Sequence, residues 1–279
     1  MRGVALQLNF TIMSSAVNIT DTAPVLFEIK DGIAFITLNR PARMNALNME
    51  MALALQQRLD ESASRKEVRA VYLTGAGRAF CAGQDIVAAV ESQGRGLDKI
   101  LTEGYNPIVT KIRYMAKPVV AAVNGVAAGA GVSLALCCDV VVAAQSATFI
   151  QAFSKIGLIP DSGGTYTLPR LIGWQRASAM AMLADLVSAE KAEKIGMIYE
   201  VYPDQEFPKA SLALTKKLAQ LPTSALGLIK QALNHSADNT LEAQLNLEDE
   251  LQQKAMKTMD FKEGIDAFLN KRVPQFTGE

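Results

Sequence analysis

The chain has 279 residues, of which 49% are hydrophobic, and its 28 Lys plus Arg residues balance 28 Asp plus Glu residues. This composition supports a sizeable core and argues against disorder, and zero net charge excludes the broad basic surface of a nucleic-acid-binding protein. Three cysteines, Cys81, Cys137 and Cys138, are too few for a disulfide framework and match no zinc-ligand spacing, which predicts reduced thiols, a cytoplasmic location and no metal site.

Two uncharged stretches resemble membrane segments in composition. Gly3–Thr20 follows a single cation and is interrupted by Gln7 and Asn9, which fits a signal peptide poorly. Pro118–Cys138 contains an asparagine and three glycines, so a buried strand, a glycine turn and a buried helix explain it better than a membrane span. We therefore expect residues 1–23 to be a disordered leader and the protein to have no membrane partner.

The regular pattern begins at Val25. Val25–Ile29 and Ile33–Leu38 flank a Lys-Asp-Gly turn, which predicts a hairpin. A helix then follows, with Asn45 or Asn48 as its N-cap. It is predicted by hydrophobic residues that recur every four positions: Leu47, Met51, Leu55 and Leu59.

Apolar strands alternate with helices through the middle of the chain. Strands are predicted at residues 68–73, 118–123 and 140–144, and a helix at 133–138. The glycine-containing sequences Gly75-Ala76-Gly77 and Asn124-Gly125 close the first two strands. This alternation predicts an α/β core with mainly parallel strands.

The last third of the chain is mainly helical. Helices are predicted at 176–186 and 188–194 and a last strand at 197–202, and from Pro208 to Asn270 the pattern is helical with breaks at Pro222 and 234–239. Asp260 and Glu263 have the spacing of a capping box. We therefore divide the chain into an α/β core, residues 24–207, and a helical region, residues 208–279.

Two short motifs suggest chemistry that the rest of the sequence does not support. Gly75-Ala76-Gly77 follows a strand, but the third glycine of a dinucleotide-binding fingerprint is replaced by Phe80, which excludes that cofactor. The sequence from Pro160 to Gly164 resembles the surroundings of a protease serine. Its base would have to be His235, the only histidine, which lies in a polar helical segment. A serine hydrolase is therefore a minor alternative.

Two glycine-containing segments are more informative. Phe80–Asp85 and Asn124–Gly131 each follow a strand and precede a predicted helix. Small residues leave backbone N–H groups accessible at a helix N-terminus, and two converging N–H groups would form an oxyanion hole. Taken singly, each segment is explained better by close packing of helix against strand.

Together with two further motifs, these segments resemble the crotonase (enoyl-CoA hydratase/isomerase) superfamily. The matching segments keep their order and spacing from about Val25 to the C-terminus: Asn39-Arg40-Pro41 with Asn45-Ala46-Leu47, Gly77–Asp85, Lys117-Pro118 with Asn124–Gly131, and Gly157 with Pro160–Thr165. Within the superfamily the chain is most similar to the branch of ring-1,2-epoxyphenylacetyl-CoA isomerases. The segments that carry this similarity are Asn124–Ser133, Phe153–Thr165, Gly227–Leu233 and Lys271–Gly278.

The resemblance implies an acyl-CoA-binding core built as a spiral of repeated ββα turns. The helical region that follows would build a homotrimer, often paired into a homohexamer, and would cap the substrate pocket. Coenzyme A would enter as part of the substrate, and no metal or redox cofactor is implied.

The resemblance also assigns site residues by position. The backbone N–H groups of Gln84 and Ala130 match the oxyanion hole that binds the thioester oxygen. Other matched positions line the adenine pocket or contact coenzyme A, the last two frequently from a neighbouring subunit: Ala82, Asp85, Arg43, Phe268 and Lys271. The acyl-pocket wall falls in Val87–Leu101, the stretch least similar to the superfamily.

Departures from the superfamily pattern favour one reaction. Hydratases of the superfamily use two glutamates where this chain has Ser133 and Phe153, neither of which is a base at neutral pH. Asp161 stands where several isomerases have aspartate, although a turn residue is the alternative interpretation. We therefore expect an acyl-CoA isomerase that converts ring-1,2-epoxyphenylacetyl-CoA to its oxepin form or shifts a 3-enoyl double bond to the 2-enoyl position. The alternatives are a 2-enoyl-CoA hydratase and a non-catalytic acyl-CoA-binding protein.

Overall fold

The computed structural model describes residues 22–87 and 99–279. The predicted leader, apart from its last two residues, and most of the predicted acyl-pocket wall lie outside these residues. The described residues form two β-sheets and a surrounding layer of helices. The strands are β1 (Val25–Lys30), β2 (Ile33–Leu38), β3 (Ala70–Gly75), β4 (Ala79–Cys81), β5 (Val119–Val123), β6 (Val126–Ala128), β7 (Val140–Ala144), β8 (Thr148–Ile150), β9 (Val187–Ser188) and β10 (Glu200–Tyr202).

The helices divide between the core and the C-terminal region. The longer helices within the described residues are α1 (Met49–Ser64), α2 (Asn106–Tyr114), α3 (Ala130–Leu136), α4 (Gly164–Ile172), α5 (Trp174–Leu183), α6 (Ala189–Lys194), α7 (Phe207–Gln220), α8 (Thr223–Ser236), α9 (Leu241–Ala255) and α10 (Met259–Leu269). Short 3₁₀ turns cover Pro41–Arg43 and Ala152–Ile156, and a π-helical turn covers Ile100–Tyr105.

The larger sheet has the strand order β1-β2-β3-β5-β7-β10 and is parallel except for the β1–β2 hairpin. Its central strand β5 is buried at all five positions, as expected for a parallel sheet covered on both faces. The smaller sheet has the order β4-β6-β8-β9, with β9 antiparallel to β8. Hydrophobic side chains between the sheets and helices form one extensive core.

Successive turns of the chain contribute one strand to each sheet. β3 is followed by β4, β5 by β6 and β7 by β8, the first strand of each pair lying in the larger sheet and the second in the smaller. Helix α3 follows the β5–β6 pair. This is the predicted α/β arrangement of repeated ββα turns, and it stacks the loops after β4 and β6 beside each other.

Two capping predictions are resolved by side-chain contacts. Asn48 caps α1 by accepting a hydrogen bond from the backbone N–H of Met51 at 2.9 Å, whereas the amide of Asn45 is directed to backbone groups of the neighbouring turn. The predicted capping box at Asp260 is wrong. Thr258 caps α10 by accepting from the N–H of Phe261, because the Asp260 carboxylate accepts hydrogen bonds from the C-terminal tail instead.

The C-terminal helices form a layer on one side of the core. Helix α7 packs against β3 through a small cluster that contains Ile33, Ala70 and Ala219. Helices α8 and α9 pack against each other, and α9 buries Leu251 while leaving Leu241 exposed. Among the described residues, no helix combines the length and apolar character needed to cross a membrane.

Candidate active site

The backbone around Gln84 is held by a parallel bridge to Leu47. The N–H of Leu47 donates to the carbonyl oxygen of Gly83 at 2.6 Å, and the N–H of Asp85 donates to the carbonyl oxygen of Leu47 at 2.8 Å. In this bridge the N–H and the carbonyl oxygen of Leu47 bond to Gly83 and Asp85, the two neighbours of Gln84. The N–H of Gln84 itself therefore points away from Leu47. It donates to no group in residues 22–87 or 99–279.

The second backbone donor is the N–H of Ala130, the first residue of α3. First-turn N–H groups have no partner within a helix, and within the described chain this one donates no hydrogen bond. Ala130 is buried, and Gly131 beside it packs so closely that a Cβ there would lie 2.1 Å from the carbonyl oxygen of Cys81. The segments that carry the two free N–H groups therefore lie against each other.

An ion pair fixes the segment after Gln84. Arg40 donates from Nη2 to Oδ2 of Asp85 at 2.8 Å and from Nη1 to the carbonyl oxygen of Ala46 at 2.5 Å. The side chain of Asp85 is only 6% exposed. The Asn45 amide adds a hydrogen bond to the carbonyl oxygen of Ala79 at 2.7 Å. Arg40 and Asn45 thus fix the backbone before and after Gln84.

Asp161 lies half-buried in the turn before α4. Its carbonyl oxygen accepts from the N–H of Gly164 at 2.8 Å, and its Oδ1 accepts from Oγ of Ser162 at 2.9 Å. Burial raises the pKa of the Asp161 carboxyl above its ordinary value, and the hydrogen bond from Ser162 partly opposes that rise. The turn therefore presents a carboxylate whose basicity is increased by its surroundings.

Tyr105 reaches the segment beside the Gln84 loop, where its hydroxyl donates to the carbonyl oxygen of Leu47 at 3.0 Å. Its hydroxyl is buried, and its pKa is raised by burial first and then by Cys81, Asp161 and Asp85. The turn that carries Asp161 packs against α3. Its Gly164, whose N–H bonds to the carbonyl oxygen of Asp161, has a Cβ point 2.6 Å from Oγ of Ser133 on that helix. The Asp161 turn and the Gln84 segment thus both lie against α3, the helix that Ala130 begins.

Two uncharged side chains, those of Ser133 and Phe153, are buried close to the start of α3 and the turn that carries Asp161. Ser133 lies one turn after Ala130 and is fully buried, with its Oγ 2.6 Å from the point where a Cβ on Gly164 would stand. The ring of Phe153 is also buried and lies 3.6 Å from the equivalent point on Gly129. Neither residue supplies a carboxylate beside Asp161.

Gln151 was not identified from the sequence. It is fully buried, and its amide atoms and the hydroxyl of Ser133 have no hydrogen-bond partner among the described residues. Its amide nitrogen lies 3.7 Å from the same Cβ point on Gly164 that Ser133 approaches. Sequence pattern gave no signal for Gln151, because a polar residue beside a strand end is usually exposed.

The other predicted contacts with coenzyme A divide into two groups. Arg43 is exposed at the end of its 3₁₀ turn, and the N–H of Ala82 donates to the carbonyl oxygen of the adjacent Met44 at 3.0 Å, so these two predicted residues lie together near Gln84. Phe268 and Lys271 are exposed at the end of α10. In the described part of the chain, no hydrogen bond or ion pair joins them to Gln84 or Asp161.

The structure gives the hydrolase alternative no support. The hydroxyl of Ser162 donates to Asp161, and His235 lies exposed on α8, with no hydrogen bond between His235 and Ser162 in the described chain. Within residues 22–87 and 99–279, no group of three or more His, Cys, Asp or Glu side chains is arranged to hold a metal ion.

Comparisons with known proteins extend over nearly the whole chain. The sequence model described as enoyl-CoA hydratase/isomerase matches residues 28–279. The chain is 47% identical to 1,2-epoxyphenylacetyl-CoA isomerase of Escherichia coli K12 and 48% identical to a Rhodobacter capsulatus protein named probable enoyl-CoA hydratase, in each case over 91% of this chain and 98% of the relative. Enoyl-CoA hydratase from Bacillus anthracis superimposes with a TM-score of 0.88 at 30% identity, over 92% of this chain and 100% of that one. These matches confirm the crotonase-like fold.

Proposed function

The chain belongs to the enoyl-CoA hydratase/isomerase family, and from this premise we propose that it is an acyl-CoA isomerase with Asp161 as its catalytic base. One observation carries the proposal. Asp161 is a half-buried carboxylate with a raised pKa, and the positions used for catalytic glutamates in hydratases hold Ser133 and Phe153. A single carboxylate suits a reaction that moves a proton within one substrate.

The two free backbone N–H groups would polarise the substrate. A thioester oxygen placed between Gln84 and Ala130 would accept a hydrogen bond from each, and these bonds strengthen as the oxygen gains negative charge in the enolate. Gly83 allows the two segments to approach. Preorganised donors of this kind stabilise developing charge without reorganising during the reaction.

Asp161 would transfer the proton. In a shift of a 3-enoyl to a 2-enoyl double bond, its carboxylate removes a proton from the carbon beside the thioester, and the resulting dienolate is held by the two N–H groups. The same proton then returns to the far end of the conjugated system, which restores the carboxylate. The reaction consumes no water and involves no oxidation or reduction, so we propose that it needs neither a metal nor a redox cofactor.

We extend the proposal to the acyl group. The 47% identity to an enzyme named 1,2-epoxyphenylacetyl-CoA isomerase supports ring-1,2-epoxyphenylacetyl-CoA, with conversion to its oxepin form, as a substrate. The second candidate is a 2-enoyl-CoA hydratase, which the 48% identity to a protein with a hydratase name favours. Hydration needs a group that activates water, and the phenyl ring of Phe153 and the hydroxyl of Ser133 are poor candidates for that role.

We also propose a homotrimer, or a homohexamer built from two trimers. The C-terminal region carries large apolar side chains that are exposed in the single chain: Leu241, Leu245, Met259, Phe268, Leu269 and Val273. A second subunit that covers this surface would bring Phe268 and Lys271 toward coenzyme A in a neighbouring site. Three buried cysteines without disulfides within the described chain fit the proposed cytoplasmic location.

A substrate comparison tests the proposal. The purified enzyme is offered a 3-enoyl-CoA, the ring-epoxide thioester and a 2-enoyl-CoA under the same conditions, and each product is separated by chromatography. We expect turnover of the first two and little hydration of the third. Faster hydration of the 2-enoyl-CoA would establish the hydratase instead, and tight binding without any turnover would establish a binding protein.

A further inference from the structure

Tyr105 makes one buried hydrogen bond to a distant part of the chain. It ends the π-helical turn before α2, its side chain is 1% exposed, and its hydroxyl donates to the carbonyl oxygen of Leu47 at 3.0 Å. Leu47 lies 58 residues earlier in the sequence. The bond therefore joins the turn before α2 to the segment that runs beside the Gln84 loop.

The carbonyl oxygen of Leu47 is shared by two donors. It accepts from Tyr105 and from the N–H of Asp85, while the N–H of Leu47 donates to the carbonyl oxygen of Gly83. Leu47 thus holds the residues on both sides of Gln84. A carbonyl oxygen has two lone pairs, so that of Leu47 can accept both hydrogen bonds at once. The bond from the hydroxyl of Tyr105 therefore helps to fix the direction of this carbonyl while Asp85 remains bonded to it.

The surroundings keep this hydroxyl protonated. Burial and the nearby Cys81, Asp161 and Asp85 raise the pKa of Tyr105, and Arg40 opposes them. The hydroxyl consequently remains a donor throughout the pH range in which Asp161 becomes a carboxylate. A donor that stays neutral over this pH range is suited to hold the backbone of the Gln84 loop in place.

We propose that Tyr105 is a positioning residue of the oxyanion hole, which acts through Leu47 to fix the direction of the Gln84 N–H. The inference rests on the proposed function, because it gives a role to the same pair of backbone donors. Catalytic donors must be held within about 0.5 Å of their productive position. The hydrogen bond from Tyr105 fixes the carbonyl of Leu47, to which Asp85 also bonds, and so limits displacement of the neighbouring Gln84 N–H.

Loss of this bond should affect the site more than the fold. Tyr105→Phe keeps the buried ring, and the carbonyl of Leu47 retains its bond from Asp85, so no buried acceptor is left unpaired. The net contribution of one such hydrogen bond to folding stability is small, so the variant should remain folded. Tyr72→Phe is a matched control, because its hydroxyl bonds to Ser211 at 2.9 Å on the far side of the larger sheet, under α7.

The experiment compares Tyr105→Phe, Tyr72→Phe and the unaltered enzyme. Thermal unfolding establishes that each protein is folded, and all other measurements are made well below each midpoint. A cinnamoyl-CoA thioester serves as a spectroscopic probe, because polarisation of its carbonyl moves its absorption to longer wavelength. Steady-state kinetics on a 3-enoyl-CoA supply kcat and KM separately.

We expect Tyr105→Phe to bind the probe with a smaller spectral shift and to lose about tenfold in kcat, equivalent to about 1.4 kcal/mol, with KM little changed. Tyr72→Phe should match the unaltered enzyme in both measurements. An unaltered shift and kcat in Tyr105→Phe would overturn its positioning role alone. If the unaltered enzyme binds the probe without any shift, the oxyanion hole itself is absent and the role of Tyr105 falls with it.

Discussion

The backbone nitrogen of Ala130 lies 3.4 Å from the point where a side chain on Gly83 would begin. The carbonyl oxygen of Ala128 lies only 2.7 Å from the same point, and Gly83 has a φ of +87°. Only glycine combines this backbone conformation with so close an approach. The contact holds the Gln84 loop against the start of α3, and so brings the two proposed oxyanion donors together.

Gly83→Ala should therefore separate the two donors. The added methyl group must displace the backbone at Ala128 and Ala130, and loss of one oxyanion donor costs about 10²–10³ in kcat. Gly157→Ala is the matched control, because Gly157 has a φ of +73° with no atom within 4 Å of its Cβ point. Kinetics on a 3-enoyl-CoA should show the loss only in Gly83→Ala. Equal kcat values in the two folded variants would refute the importance of the contact.

The Arg40–Asp85 ion pair should contribute substantially to stability. Asp85 is 6% exposed and Arg40 21%, so Arg40→Met leaves a buried carboxylate without the guanidinium charge. Removing one member of a buried pair costs more than breaking an exposed pair, so we expect Arg40→Met to destabilise the protein by more than about 1 kcal/mol. The exposed pair of Lys216 with Asp31 is the control, and Lys216→Met should cost less than about 1 kcal/mol. Denaturant unfolding measures both, and similar values for the two variants would contradict this account.

The activity of the enzyme should increase with pH through the pKa of Asp161. In the proposed mechanism Asp161 must be a carboxylate, and burial raises its pKa above the ordinary value. The pH at which kcat/KM reaches half of its maximum should therefore lie above the pKa of an exposed aspartate. Ser162→Ala removes the hydrogen bond that lowers the pKa. The acid limb of the pH profile should then move to higher pH, and a shift to lower pH would contradict the assignment of Asp161 as the base.

The strands of the larger sheet could be predicted from the sequence, because each is a local run of hydrophobic residues. The oxyanion positions Gln84 and Ala130 came from the resemblance to the superfamily, and their role stays a prediction. Hydrophobic runs identify buried strands, and small residues after a strand identify the loops that carry Gln84 and Ala130. Helix ends were less certain: α3 begins at Ala130, three residues before the predicted start.

Residues whose partners are distant in sequence could not be found in this way. Arg40 pairs with Asp85 across 45 residues, and Tyr105 bonds to Leu47 across 58. No periodicity or motif records such contacts, since they depend on how the turns stack. The capping-box prediction at Asp260 failed for the same reason, because the carboxylate bonds to Thr277, 17 residues away.

The three cysteines should be unreactive in the folded enzyme. All three are buried. Burial raises the pKa of the Cys81 thiol to about 12, although a hydrogen bond from the backbone of Gly83 partly lowers it. The reactive thiolate is therefore scarce at neutral pH. A thiol-specific reagent should modify none of the three in the native protein and all three after denaturation. Rapid native modification that abolishes activity would show that a cysteine is accessible at the site.

Asp161→Asn tests the central claim most directly. The substitution preserves the shape of the side chain and removes the proposed base, and Asp185→Asn serves as a control that loses an exposed carboxylate elsewhere. The raised pKa of Asp161 means that folding disfavours its charged form. The stability of the unaltered protein therefore falls as pH rises from the pKa of Asp161 in the unfolded chain to its pKa in the folded one. The asparagine variant, which carries no charge there, should unfold at an equal or higher temperature at neutral pH.

The decisive measurement is kcat for isomerisation of a 3-enoyl-CoA by Asp161→Asn, with equilibrium binding of an unreactive acyl-CoA measured on the same preparation. General bases contribute about 10²–10⁴-fold. We predict a fall of that size in kcat, with acyl-CoA affinity little changed and Asp185→Asn fully active. Turnover by the folded Asp161→Asn enzyme within several-fold of the unaltered protein would contradict the account and leave Asp161 as a residue of the turn.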